Sequence, residues 1–160
     1  MRVRPAQPED MAGVSEMARA LAAHVEDADP GDGADALIRS GFGAERWFEC
    51  LVAETNDEKL VGFALACRRY EAHMGRRSLW IGDLYVCPTA RRARVARALL
   101  SGLAEHARGL GCTHITWELW RRNDVAQAFY AALGAHADDE VAPMSLPVET
   151  LVTRLRGERK

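Results

Sequence analysis

The first feature of the chain that could do chemistry is a cluster of four arginines. Arg91, Arg92, Arg94 and Arg97 follow an apolar run that ends at Pro88, and apolar residues recur at helical spacing after them. Guanidinium groups are planar, permanently charged donors that suit phosphate oxygens. A helix that begins directly after a strand also points unpaired N–H groups and the positive end of its dipole into one small volume. The pattern is consistent with a phosphate site, and also with a solvated arginine surface.

The composition is that of an ordinary soluble protein. Of 160 residues, 48% are apolar and 28% are charged, and the formal net charge is −2. This length predicts one domain over residues 1–160. The charge balance does not favour nucleic acid as a partner, and the arginine cluster lacks the interleaved aromatic residues of a single-strand platform. No run reaches the ~18 apolar residues of a membrane span, so we expect a cytoplasmic protein with no membrane partner.

Four cysteines, which have neither paired spacing nor a histidine at ligand spacing, predict free thiols and no metal site. They are Cys50, Cys67, Cys87 and Cys112. Three of them stand in apolar runs typical of strands, where cysteine behaves as a small buried residue. Unpaired thiols are consistent with a reducing compartment.

The elements that must position these residues alternate between strands and helices. The predicted strands span residues 3–6, 48–54, 60–67, 78–86, 114–119 and 141–146. Five helices are predicted. The first begins at residues 8–10, the second spans 34–40, and the third runs from the arginine cluster to Gly109. The fourth begins at Asn123 and ends before Gly134, and the fifth spans 147–156. An acidic loop (26–33), a charged connection (68–77) and a loop (137–140) separate them. The order βααβββαβαβα predicts an α+β fold around one mixed sheet.

Several short segments carry a family resemblance that covers nearly the whole chain. They are GFG at 41–43, CLVAE at 50–54, VGFA at 61–64, DLYV at 83–86 and FYAALGA at 129–135, with Asn123 seven residues before Tyr130. In this order the chain resembles the GNAT superfamily of N-acetyltransferases, in particular its diamine (spermidine/spermine) branch. The resemblance implies a mostly antiparallel, twisted sheet flanked by helices, and a homodimer.

The resemblance also implies acetyl-CoA as the co-substrate and direct transfer of acetyl to an amine in a ternary complex. The backbone amides of Leu84 and Val86 would pair with the pantetheine arm, and the turn from Arg91 to Arg97 would hold the pyrophosphate. The implied cofactor-binding residues are Leu84, Tyr85, Val86, Arg91, Arg92, Ala93, Arg94, Val95, Ala96, Arg97, Asn123, Ala126 and Phe129.

Two side chains are the catalytic candidates that the resemblance implies. Tyr130 would lie beside the thioester sulfur and donate a proton to the departing thiolate; the alternative is an amphipathic core tyrosine whose hydroxyl reaches solvent. Asp83 stands in mid-strand, where a carboxylate is unfavourable without a task or partner. It would relay the amine proton or attract a cation, or it is a paired structural acid. Glu118, at the end of the neighbouring strand, is a similar candidate, for contact with the substrate or, in place of Asp83, for assisting deprotonation of the amine through water.

The chain departs from the family pattern in the phosphate turn. Arg92 and Arg94 stand where the family has glycines, which let the backbone approach phosphate closely. We expect both arginines to keep helical backbone angles. Their guanidinium groups then either replace the lost close approach or crowd the site.

The second departure concerns the amine. Polyamine enzymes of the branch carry acids at the positions of Gly82 and Ala142, and a tyrosine where this chain has His24, a substrate-binding candidate. Because a long polycation needs several spaced carboxylates, the predicted acceptor is a smaller primary amine such as an amino acid or a diamine. Two alternatives stay open: a non-catalytic acyl-CoA-binding regulatory module, and a protein N-acetyltransferase.

Overall fold

A computed structural model describes residues 1–31, 33–138 and 140–157 of the chain. The strands are β1 (Arg2–Pro5), β2 (Glu49–Glu54), β3 (Leu60–Glu71), β4 (Arg76–Val86) and β5 (His114–Trp117). The helices are α1 (Met11–His24), α2 (Ala34–Phe42), α3 (Val95–Gly109), α4 (Asp124–Ala131) and α5 (Val148–Gly157). The chain divides into two compact units, the first spanning Met1–Trp120 and the second beginning at Arg121.

The first unit is built on a sheet whose order is β1-β2-β3-β4-β5. Neighbouring strands are antiparallel except β4 and β5, which run parallel. The long α3 connects these two strands, as a parallel pair requires. The predicted α+β class with a mixed, mostly antiparallel sheet is confirmed.

Helices cover both faces of this sheet, and alternation along the strands assigns each side chain to one of them. On the α3 face, Leu99 and Leu103 pack with Leu79 and Ile81 of β4. On the opposite α1 face, Met11 packs with a cluster that includes Val52, Phe63 and Tyr85, beside which part of α2 lies. Burial of each of these apolar side chains contributes about 1.5–3 kcal/mol to the free energy of unfolding. Packing on both faces therefore holds the sheet in place.

A β-bulge interrupts the pairing of β4 with β3. Leu65 pairs with Asp83 while its neighbour Ala66 pairs with Ile81, so Gly82 is an extra residue that has no partner on β3. A bulge of this kind bends the strand and re-aims the side chains beside it. Pairing between β4 and β5 covers Ser78–Ile81 and ends at the bulge.

The beginning of the first unit is tied down by ion pairs. The Arg4 guanidinium donates from Nη1 to Asp10 Oδ2 at 2.7 Å and from Nε to Glu54 Oε2 at 2.9 Å. Asp10 also accepts the backbone N–H of Gln7 at 2.7 Å, which caps the helical turn that leads into α1. Arg4 thus joins β1 to β2 and to the entry of α1.

Two sequence expectations are wrong. No strand forms at 141–146 in the described part of the chain, where those residues have no regular secondary structure. The predicted charged connection 68–77 is mostly strand, because β3 continues to Glu71 and β4 begins at Arg76. Arg76 lies opposite Glu71 in the ladder, and its Nε donates to Glu71 Oε2 at 2.8 Å. Of the predicted loop 137–140, Asp139 lies outside the described residues.

Candidate active site

The downstream half of β4 presents a backbone edge beyond the end of its pairing with β5. The N–H of Cys87 donates to the Val61 carbonyl at 2.9 Å, so Cys87 faces β3. Because backbone groups alternate along a strand, the amides of Val86 and Leu84 point to the other side, away from β3. An edge that pairs with an extended, amide-bearing ligand needs outward-pointing amides. The amides of Val86 and Leu84 have the orientation that the sequence analysis predicts for this edge.

The turn after β4 contains the arginine cluster and corrects one expectation. A short 3-10 turn spans Pro88–Ala90, and the Arg91 Nε donates to the Val86 carbonyl at 3.3 Å. Arg92 and Arg94 do not keep helical angles, since their φ values are 68° and 62°. The turn itself demands these left-handed conformations, in which a glycine is the favoured residue. The chain therefore keeps the backbone path that glycines allow, without the glycines.

The arginine turn opens directly into the N-terminus of α3. Arg94 precedes the helix, and its side chain makes no capping hydrogen bond. The first N–H groups of α3, beginning at Val95, therefore have no side-chain cap from Arg94, and the helix dipole adds partial positive charge there. A left-handed residue followed by a helical one also turns successive N–H groups into an anion-binding concavity.

Two arginines of this turn carry exposed positive charge. The sequence has no aspartate or glutamate between Asp83 and Glu105. Arg92 and Arg94 are exposed and have no ion-pair partner in the described residues. Two exposed guanidinium groups beside uncapped N–H groups suit a multiply charged phosphate ligand.

Asp83 lies next to the backbone edge on the α1 face of the sheet. It is half-buried, and burial raises the pKa of its carboxyl above the usual 3.8. Its negative charge raises the pKa of Cys67, for which burial is the larger cause. Burial is likewise the main cause that raises the pKa of Cys50 to about 12, which keeps that thiol protonated and unreactive. Burial therefore disfavours the charged form of Asp83 on this face.

The other predicted substrate-binding residues are exposed. His24 is the last residue of α1, and Glu118 directly follows β5. Their proposed contacts with the substrate stay predictions. Sequence reasoning missed Trp80, which lies on the α1 face beside Asp83; only the register of β4 against β3 shows this placement.

The second unit holds the remaining candidates on α4. The Asn123 Oδ1 accepts the N–H of Ala126 at 3.0 Å and so caps this helix. Asn123 thus has a structural role as the cap of α4. The sequence pattern alone does not distinguish this role from cofactor binding. The rings of Phe129 and Tyr130 meet edge to face at 5.1 Å between centroids. Burial raises the pKa of Tyr130 above the usual 10.0, so the phenol holds its proton at neutral pH.

The sequence matches the Acetyltransferase (GNAT) family over residues 18–135. This match covers most of the chain and includes the β4 edge, the arginine turn and α4. The chain belongs to the acetyltransferase (GNAT) family. It is an N-acetyltransferase, as the curated relatives are.

Two curated relatives carry amine acetyltransferase names. Over 141 residues, 83% of this chain and 82% of the relative, the sequence is 28% identical to thialysine N-epsilon-acetyltransferase from Bos taurus. It is 30% identical to human spermidine/spermine N(1)-acetyltransferase-like protein 1 over 107 residues, which are 62% of this chain and 15% of that protein. The predicted resemblance to the diamine branch is confirmed.

A solved structure supports the fold. An aminoglycoside acetyltransferase from an uncultured soil metagenomic sample matches with a TM-score of 0.73 and 22% identity, covering 92% of this chain and 97% of its own. At this identity the match concerns the fold of the GNAT protein alone.

Neither a metal centre nor a membrane helix is part of this acetyltransferase as far as it is described. Among residues 1–31, 33–138 and 140–157, no group of three or more histidine, cysteine and acidic side chains is arranged to hold a metal ion. Within the same ranges, every helix is too short or too polar to cross a bilayer. The four cysteines are all free; Cys50 is buried and the other three are partly buried.

Proposed function

We propose that this acetyltransferase transfers the acetyl group of acetyl-CoA to the primary amine of a small molecule, by direct transfer in a ternary complex. The observation that carries the proposal is the continuous path along β4. The path begins at the uncapped N-terminus of α3 and the free guanidinium groups of Arg92 and Arg94, follows the outward amides of Val86 and Leu84, and ends at the half-buried Asp83.

The residues on this path fit the chemical groups of acetyl-CoA one after another. The pyrophosphate suits the α3 N-terminus and the arginine turn, because both supply N–H donors and positive charge. The two amides of the pantetheine arm suit a strand edge, where backbone groups provide complementary hydrogen bonds. An arm anchored at the turn and paired with Val86 and then Leu84 points its free end toward Asp83. The remaining cofactor-binding candidates, on α4, stay part of this proposal.

Two protein side chains would move the protons of the reaction. Acetyl-CoA supplies an activated acyl group, and the amine must arrive unprotonated although its pKa is about 10. The raised pKa of the Asp83 carboxyl makes it a better base than an exposed aspartate, so it accepts the amine proton, directly or through water. The Tyr130 phenol, protonated at neutral pH, donates its proton to the departing sulfur.

Calorimetric titration with acetyl-CoA, followed by thiol-release assays against a panel of small amines, tests this function. Binding together with amine-dependent thiol release supports the acetyltransferase. Binding without release for any amine supports the non-catalytic regulatory module, and release only with peptide amines supports a protein N-acetyltransferase. Absence of binding contradicts the proposal outright. The proposed homodimer is tested separately by sedimentation equilibrium of the full chain.

A further inference from the structure

Six large apolar side chains in the second unit lie in contact with solvent. Each of them is at least 45% exposed, and they are Val141, Met144, Leu146, Val148, Leu151 and Leu155. A single exposed apolar side chain is ordinary. A run of them in one short segment is typical of a surface that another molecule covers.

The apolar residues of α5 form one stripe along the helix. Val148, Leu151, Val152 and Leu155 follow one another at steps of three, one and three residues. This spacing places all four side chains on one face of a helix. A helix of about ten residues is marginal in water on its own and depends on the packing of its apolar face. Burial of the stripe against another surface would therefore stabilise α5.

The charged residues of α5 make the helix complementary to a reversed copy of itself. Glu149 lies in the first turn and Arg156 in the last. Because they are seven residues apart, or about two turns, they lie on the same flank of the stripe. Arg154 lies on the other flank. Two such helices laid side by side in opposite directions bring the Glu149 of each copy near the Arg156 of the other.

We propose that α5 forms the interface between two copies of this chain, with the two apolar stripes packed against each other in antiparallel orientation. The midpoint of the stripe lies between Leu151 and Val152. A two-fold axis through this point sets Val148 near the partner's Leu155 and Leu151 across from the partner's Leu151. A parallel arrangement would place like charges opposite each other at both ends of the helix, which disfavours it. The antiparallel pair is a closed, self-complementary interface.

This inference rests on the homodimer that forms part of the proposed function, and not on the transfer of acetyl. A stable interface buries about 800 Å² on each partner, which is more than the four side chains of the stripe supply. The exposed apolar residues that precede α5 in the same unit enlarge the surface, and they are Val141, Met144 and Leu146. The interface therefore includes this segment as well as the stripe.

Sedimentation equilibrium of the full chain tests the interface through Leu151→Glu. The wild type should dimerise, and the variant should raise the dissociation constant of the dimer about a hundredfold or more, because a charge would be buried at the centre of the stripe. Leu151 is exposed in the single chain, so the substitution should leave the fold intact. Thr153→Glu adds the same charge on the opposite, exposed side of α5 and is the matched control, with an unchanged dissociation constant.

A charge exchange tests the antiparallel orientation without disturbing the apolar stripe. Glu149→Arg and Arg156→Glu should each weaken the dimer about five- to tenfold, because each creates two pairs of like charges. The double variant Glu149→Arg/Arg156→Glu exchanges the two charges and should restore wild-type affinity. Additive losses in the double variant contradict the antiparallel pair.

Cross-linking provides a second view of the same contact. Leu151→Cys places two thiols across the two-fold axis, and oxidation should yield a covalent dimer on a non-reducing gel. Thr153→Cys should yield no more than the wild type, whose native cysteines set the background.

The possible outcomes separate this inference from the proposed function. A wild-type dimer that withstands Leu151→Glu keeps the homodimer and overturns the α5 interface. A wild-type chain that stays monomeric overturns both the homodimer and the interface, while acetyl transfer is still decided by the thiol-release assay.

Discussion

Arg92 and Arg94 both adopt left-handed backbone angles, with φ values of 68° and 62°, and only Ala93 separates them. A side chain with a Cβ destabilises this conformation by roughly 1–2 kcal/mol relative to its helical one. The turn between β4 and α3 is therefore held in shape by its surroundings, and not by the preferences of its own residues. Strained residues of this kind are found where a side chain has a task, and the exposed guanidinium groups are the obvious candidates for it.

Replacing either arginine with glycine should stabilise the fold. Arg94→Gly removes left-handed strain but adds chain entropy to the unfolded state, so we expect the free energy of unfolding to rise by about 0.5–1 kcal/mol. Urea denaturation measures this free energy of unfolding. Ala104→Gly, at an exposed position inside α3, is the control and should lower the same quantity by about 1 kcal/mol. A destabilised Arg94→Gly protein would show that the arginine makes a stabilising contact.

Loss of the two guanidinium groups should weaken acetyl-CoA binding. We expect the double variant Arg92→Gln/Arg94→Gln to raise the dissociation constant about tenfold or more, because two charge-assisted contacts to phosphate are lost. Binding by the wild type should weaken with added salt more steeply than binding by the variant. Calorimetry at low and high ionic strength measures both effects. Arg108→Gln, which removes a cation at the other end of α3, should leave affinity unchanged; equal losses in both variants would refute a local role.

Removal of the Tyr130 hydroxyl should slow catalysis and not binding. Tyr130→Phe is expected to lower kcat by about ten- to a thousand-fold while the KM for acetyl-CoA changes little. Since burial raises the pKa of Tyr130 above 10.0, the phenol stays protonated from pH 6 to about 9 and causes no alkaline decline of kcat in that range. Steady-state rates across that range measure this. An unchanged kcat in Tyr130→Phe removes the residue from the mechanism.

Asp83→Asn should make the protein more stable and less active. A carboxyl whose folded pKa is raised contributes stability below its unfolded pKa and loses it as pH rises through the folded pKa. At pH 7 the wild type therefore bears the unfavourable burial of a charge, which asparagine avoids. We expect the gain in unfolding free energy at pH 7 to shrink as pH falls toward 3.8. Urea denaturation at several pH values reads this trend, and a gain that does not vary with pH contradicts it.

The Arg4 ion pairs should matter for stability at neutral pH and not in acid. Arg4→Gln leaves the buried Glu54, 8% exposed, with only the exposed Arg2 as a cation, 3.8 Å away, and we expect a loss of about 2 kcal/mol at pH 7. The hydrogen bond from Arg4 is the main cause that lowers the pKa of Asp10 below 3.8. Its contribution is therefore present above pH 3.8 and is lost as pH falls through the lowered pKa. The difference between wild type and variant in thermal unfolding should narrow below pH 3.8; a constant difference would argue for packing alone.

The sequence predicts the order of elements well where apolar patterns are long. The strands around Val52 and Phe63 and the helix through Leu99 are readable because burial on a face imposes their periodicity. It predicts the charged hairpin ends of β3 and β4 poorly, since pairing such as that of Arg76 with Glu71 forms only after the strands have met. The predicted strand at 141–146 shows the opposite error, because a short apolar run alone does not make a strand.

In the site, residue types are readable and backbone conformations are not. The arginine cluster and Asp83 stand out by type alone. The left-handed angles of Arg92 and Arg94 cannot be predicted from the sequence, because positive φ is uncommon for arginine and the family's glycines are absent. The bulge also escapes prediction, since Gly82 becomes an extra residue only relative to the register of β3, and Trp80 joins the site through that register.

Gly82 is dispensable to the hydrogen-bonded ladder that contains it. If it were deleted, the pairs Ala66–Ile81 and Leu65–Asp83 would become consecutive and every side chain of β4 would keep its face. The deletion would straighten the strand and prolong its contact with β5 past Ile81. The bulge thus divides β4 into an upstream half that pairs with both β3 and β5 and a downstream half that pairs with β3 and carries the proposed site. Thermal unfolding and thiol release of the deletion variant would report on the two halves independently.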